Sequence, residues 1–190
     1  MGVSQDKLGQ RTISLLEELV AEHQGEKFGA IFVFGYDPEK HGANICSLTG
    51  KDFFKDLKVN MYDDDIKDVL YRCMTGKSHD GAILADKEGN ILQNDTGLLM
   101  HPEIYLKDKG RSGNSISTQF GFDEPVYARH ITAKSISHEW GVRVITLSET
   151  TGHKRVFENG YTVYSDVASE IEKVSMFRNL YNHLRRKKVS

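Results

Sequence analysis

Cysteine and proline are scarce in this 190-residue chain, with two of the first and three of the second. Two thiols, Cys46 and Cys73, make neither a disulfide framework nor a cysteine metal set; they read as reduced thiols of a cytoplasmic protein. So few prolines argue against a long disordered linker. No run approaches the roughly 20 apolar residues needed to span a bilayer. The stretch from Met1 to Arg11 is polar and lacks the apolar core of a signal peptide. Asn94-Asp95-Thr96 matches a glycosylation sequon, which has no meaning without secretion. An excess of charge is missing too: the formal net charge is −2, so the chain has no global attraction for nucleic acid. Basic residues gather only in Arg185, Arg186, Lys187 and Lys188. They read as a solvated tail suited to a helix C-terminus, with a partner or nucleic-acid contact as the alternative.

What is present is an ordinary globular composition, 38% hydrophobic and 27% charged. A chain of this length fits one domain and buries roughly 70% of its unfolded surface, so it needs no staple. Leu8, Leu15, Leu16, Leu19 and Val20 recur at helical spacing, predicting a helix over 4–24 that Gly25 ends. The division this suggests is an N-terminal helical extension, 1–25, and a domain over 26–190.

Phe28 to Phe34 is a continuous apolar run, as in a strand covered on both faces. A short strand is expected over 44–48, and Asp63-Asp64-Asp65 opens a helix reaching about Met74. Gly81 to Ala85 predicts a second buried strand, turned at Asp86–Gly89 into a hairpin with 90–94. Residues 95–123 read as irregular. Pro125 sits near the start of a helix carrying Arg129, His130 and Ala133 and stopped by Gly141. Val142 to Leu147 is a third strand, 154–157 returns, and Asn159-Gly160 signals a hairpin into 161–164. Asp166 is expected to cap a last amphipathic helix. The sum is an α/β fold, a mixed central sheet flanked by helices, because the hairpins exclude a purely parallel doubly wound sheet.

Two familiar motifs fail. Gly76-Lys77-Ser78 is not a phosphate-binding P-loop, since Tyr71 stands where the first glycine belongs and the turn leads into a strand. His138-Glu139 lacks the second histidine of a zinc-protease helix. Three polar clusters remain. His79-Asp80-Gly81-Ala82 heads a buried strand, where an aspartate is costly unless hydrogen-bonded or metal-bound and where small residues leave room for a flat ligand. Arg129-His130, in the first turn of a helix, joins a guanidinium and an imidazole to helix N–H groups as an anion site. Ser148-Glu149 follows a buried strand before a tight turn. Each alone is more often structural; together they offer carboxylates for a divalent metal and cations for phosphates, which suits phosphoryl or nucleotidyl transfer.

These residues resemble the diadenylate cyclase family, which includes the nucleotide-binding domain of the DNA-integrity-scanning protein. His79-Asp80-Gly81-Ala82, Arg129-His130, Ser148-Glu149-Thr150-Thr151-Gly152 and Asn159-Gly160 occur in the family's order, and Gly29 to Val33 is similar to its first strand. The family's Gly-Thr-Arg-His-Arg reads Tyr127-Ala128-Arg129-His130-Ile131 here, so one cation and one hydroxyl are replaced. Arg111, in the loop before it, is a candidate substitute cation. The resemblance implies condensation of two ATP molecules into cyclic di-AMP with release of two pyrophosphates. It assigns catalysis to Asp80, Arg129 and His130, with His79, Asp80 and Glu149 holding magnesium or manganese. Arg129, His130 and Ser148 would bind phosphates, and Gly81, Ala82, Leu98 and Leu99 would enclose adenine. A product with two-fold symmetry implies two sites facing across a dimer axis, so the chain itself is a partner, at least transiently. The N-terminal helix is a candidate for setting that assembly or simply covers the sheet. The alternative is a sensor of ATP or cyclic di-AMP on the same fold; a nucleic-acid-scanning role has least support.

Overall fold

The computed structural model describes residues 5–50, 52, 54, 57–75, 81–110 and 112–172. Helix α1 (Gln5–Glu22) is followed by β1 (Ala30–Phe34), the one-turn α2 (Pro38–His41), β2 (Ile45–Ser47), β3 (Val59–Asn60) and α3 (Ile66–Thr75). Then come β4 (Ala82–Ala85), β5 (Asn90–Leu98), α4 (Pro102–Lys109), the short α5 (Ile116–Gln119) and α6 (Ala128–Trp140). The meander β6 (Arg143–Leu147), β7 (Lys154–Glu158) and β8 (Tyr161–Ser165) completes the sheet. The strand order is β2-β5-β4-β1-β6-β7-β8, with β3 pairing on β5. Among the described residues, β1 and β4 run parallel and the other pairs are antiparallel. This is the mixed α/β sheet expected.

Helices cover both faces, as the two-sided apolar runs require. On β1, Ala30, Phe32 and Phe34 face a core shared with Leu8, Leu15, Leu16 and Leu19 of α1 and Ile66, Leu70 and Met74 of α3. Ile31 and Val33 face the other core, with Tyr105 of α4, Phe120, Phe122, and Ile131, Ala133 and Ile136 of α6. Burial of each such side chain contributes on the order of 1.5–3 kcal/mol. Helix α1 is therefore integral to one of the two cores.

Two expectations are corrected. Residues 95–123 are not irregular: β5 continues to Leu98, and α4 and α5 follow. Polar residues concealed these elements, because β5 continues through the buried polar run Asn94-Asp95-Thr96 and α5 is only one turn, started by Ser115 and Thr118 in a reciprocal capping box. Asp166 does not cap an α-helix. Its carboxylate accepts from Lys154 N–H at 2.8 Å and from Tyr164 O–H at 2.8 Å, and a 3-10 turn, Ala168–Glu170, follows. The rest of that expected helix, and the basic cluster at 185–188, lie outside the described residues.

Strand β5 is irregular for a reason that bears on the site. Its register with β4 shifts between Ala82↔Thr96 and Leu84↔Gln93, and again before Ala85↔Ile91. Asp95 at the first shift has φ 55°, as bulged residues often do. Its buried Oδ2 accepts from Ser47 Oγ at 3.1 Å and from Thr49 N–H at 2.9 Å, tying the end of β2 to β5.

Candidate functional site

The N-terminal ends of β1 and β4, the C-terminal end of β6 and the first turn of α6 meet at one end of the sheet's central strands. Between them is a cleft of about 450 Å³, with Ile31, Ala82, Thr96 and Leu98 along the sheet. Tyr127 to His130 line it at the helix start, and Ser148 to Thr150 line it after β6. Thus Ala82, Leu98, Arg129, His130, Ser148 and Glu149, separated in sequence, share one cavity. Gly81 and Leu99 are not among the lining residues. Gly81 is needed for another purpose: a Cβ there would lie 2.5 Å from Asp95 Cα and 2.6 Å from Thr96 N. The space left by its missing side chain holds β5, not a ligand. Leu99 is half-exposed outside the cleft, its N–H donating to Asn44 O at 3.0 Å. His79, Asp80 and Arg111 lie outside the described residues.

Helix α6 begins at the cleft with Tyr127 as N-cap and no side-chain cap, so the positive end of its dipole forms part of the wall. Arg129, in that first turn, is mostly buried, and its Nη2 lies 3.6 Å from Glu149 Oε2, which is 45% exposed. The site thus places a guanidinium and a carboxylate side by side.

His130 differs from the expected cation. It is 4% exposed, edge-on to Phe122, and its Nε2 is buried with no hydrogen-bond partner among the described residues. Burial first, then the charges of Arg155 and Arg129, push its pKa down to about 3. At neutral pH it brings an uncharged imidazole to the cleft. The pattern that placed His130 beside a guanidinium could not show that α6 turns it inward. Ile131, where the resemblance leads one to expect a second arginine, packs in the core with Ile31 and Val33 and is not among the residues lining the cleft.

Sequence reasoning missed Leu48, Thr96, Gly97, Tyr127, Thr132 and Thr150 as cleft residues. Tyr127, 73% exposed, was visible as a neighbour of Arg129. Thr96 and Gly97 reach the cleft on β5, where Thr96 lies opposite Ala82 of β4, and Leu48 joins them through the β2–β5 pairing, Cys46↔Gly97 and Ser47↔Thr96, which leaves no local trace in the sequence.

The model of the family described as "DisA bacterial checkpoint controller nucleotide-binding", DAC, matches residues 17–162. The chain belongs to the DAC family. No curated protein matches it. Among solved structures, a double mutant of DacA from Staphylococcus aureus is similar with a TM-score of 0.55. It is 18% identical, over 92% of this chain and 93% of that one. A hypothetical membrane spanning protein from Bacillus cereus has a TM-score of 0.53 and 21% identity, over 83% of this chain. The chain spans 62% of the length of that protein. At these identities the likeness concerns the fold. No helix among the described residues is long and apolar enough to cross a membrane.

The DAC match begins inside α1 and ends in β8, so it takes in the cleft and all the strands that build it. Among the described residues no three His, Cys, Asp or Glu side chains cluster as metal ligands. What the cleft does present is oxygen: the Glu149 carboxylate and the hydroxyl-bearing Ser148 and Thr150. Hard oxygen donors fit magnesium or manganese and not a soft ion.

Proposed function

We propose that this DAC domain is a diadenylate cyclase, joining two ATP molecules into cyclic di-AMP and releasing two pyrophosphates. The observation that carries the reading is the single cleft gathering Ala82, Leu98, Arg129, His130, Ser148 and Glu149, inside the span matched by the nucleotide-binding family. In this reading the phosphates lie against the start of α6, held by Arg129, Ser148 and the dipole of the helix. Ala82 and Leu98 enclose adenine. His130 contributes an uncharged, orienting imidazole.

Each 3′-oxygen attacks the α-phosphorus of the other nucleotide, its proton passes to Asp80, and pyrophosphate leaves with the electrons of the broken bond. Asp80, His79 and Glu149 would hold magnesium or manganese, which when bound supplies charge neutralisation on the phosphates. Because the two attacks are equivalent, two chains must face each other across a two-fold axis at least transiently. We place this reaction in the cytoplasm.

The second reading, a sensor that binds ATP or cyclic di-AMP without turnover, is favoured by the burial of Ile131 where the family has a second cation. Incubation with ATP and magnesium or manganese, followed by mass spectrometry, separates the two. Cyclic di-AMP that disappears in Asp80→Asn supports the cyclase. ATP binding with no product under either metal leaves the sensor.

A further inference from the structure

Gly29 is buried one residue before β1, and its φ lies outside the left-handed region, so its backbone suits any residue. What excludes a side chain is Arg129. A Cβ on Gly29 would overlap Arg129 Nη1, and would lie 2.7 Å from Arg129 Cζ and 3.1 Å from Glu149 Cβ. The guanidinium therefore rests on the Gly29 backbone while Nη2 stands 3.6 Å from Glu149 Oε2, and both side chains line the cleft. Being the far end of a flexible side chain, the guanidinium would give way to a methyl group more readily than the backbone would.

We propose that Gly29 is a positioning residue for the nucleotide phosphates: its missing side chain is the seat that holds the Arg129 guanidinium low in the cleft, beside Glu149. Glycine allows such a close approach, and no larger residue does. The role rests on reading the cleft as the nucleotide site, whereas the seat itself does not. Charge-assisted contacts to phosphate depend on the placing of the guanidinium fork, so lifting Arg129 off its seat weakens those contacts while leaving the sheet intact.

The test is calorimetric ATP binding, with magnesium, by the wild-type chain, Gly29→Ala, Arg129→Ala and the double variant. Gly29→Ala is expected to fold and to bind ATP about 10- to 100-fold more weakly, the loss of a charge-assisted phosphate contact. In the Arg129→Ala background the same change is expected to add nothing, which general loosening of the site would not reproduce. Gly29→Ala affinity equal to wild type, or losses that add in the double variant, overturn the proposal while the nucleotide reading stands. A wild-type chain that binds no ATP overturns both. Where Gly29→Ala does not fold, a folded double variant supports the seat, and an unfolded one shows that backbone packing, not Arg129, requires the glycine.

Discussion

Arg155 and Glu170 are joined at 2.6 Å, Nε to Oε2, with side chains 2% and 0% exposed. The pair fastens the 3-10 turn after β8 onto β7, and Arg155 Nη2 also lies 3.5 Å from Glu124 Oε2, in the segment leading to α6. Arg155 stacks over Phe122, 5.4 Å from its centroid, and its charge helps keep His130 neutral. A buried ion pair thus acts on a cleft residue from behind: after burial itself, Arg155 does most to keep His130 neutral.

Removing the carboxylate should be costly. Glu170→Ala leaves a buried guanidinium with its main partner gone, and is expected to lower unfolding free energy by about 3–5 kcal/mol, measured by urea titration. Burial alone would raise the Glu170 carboxyl; the hydrogen bonds and charge of Arg155, with the Ser165 hydroxyl and Asp123 N–H, hold it below the ordinary 4.5. A depressed carboxylate stabilises the fold above its unfolded pKa, and that stabilisation is lost as pH falls through the folded value. The wild-type chain should therefore lose stability below pH about 4.5, and Glu170→Gln should lose less over the same interval.

His130 adds a second acid sensitivity in a different window. Its folded pKa near 3 lies below the ordinary 6.5, so between these values the unfolded chain binds the extra proton. Stability should fall with pH from about 6.5 downward, with a slope approaching about 1.4 kcal/mol per pH unit near pH 5. His130→Phe, which keeps a ring and removes the titration, should flatten that slope in denaturant titrations at pH 7.5 and pH 5. An unchanged slope would mean the imidazole titrates freely.

Gly81 is under backbone constraint. A Cβ there meets Asp95 and Thr96 main-chain atoms, which cannot move aside as a side-chain tip can. Gly81→Ala is expected to cost about 3 kcal/mol by thermal unfolding, the upper range for overpacking. A melting point within about 1 °C of wild type would refute the strand contact, given the usual shift of a few degrees per kcal/mol.

The two cysteines should separate cleanly under maleimide at pH 7.5. Cys46 is exposed on β2, opposite the cleft residue Gly97. Cys73 is buried in α3, and burial, with the charge of Asp52, pushes its thiol up to about 12. One equivalent should react in the folded chain and two in denaturant, with peptide mapping locating the first at Cys46.

Much of the fold is written locally. The leucines of α1 recur on one face, β1 and β4 are continuous apolar runs, Gly141 at φ 65° stops α6, and Asn159-Gly160 turns β7 into β8. These depend on backbone preference and periodicity, which neighbours in sequence determine. The order of the polar clusters, and with it the family, was equally legible, since motif spacing survives in one dimension.

Tertiary structure alone decided which of those residues meet. Leu48 and Thr96 enter the cleft together because β2 pairs with β5, although a helix and two strands separate them along the chain. Arg129 takes its place because Gly29 has no side chain to exclude it. His130 and Arg129 are adjacent in sequence, yet one is buried and neutral and the other stands beside Glu149. The charge state of His130 follows from burial and from partners such as Arg155, far along the chain. Desolvation and Coulomb interaction act through space, so the residue types were readable in the sequence while their electrostatics were set by the fold.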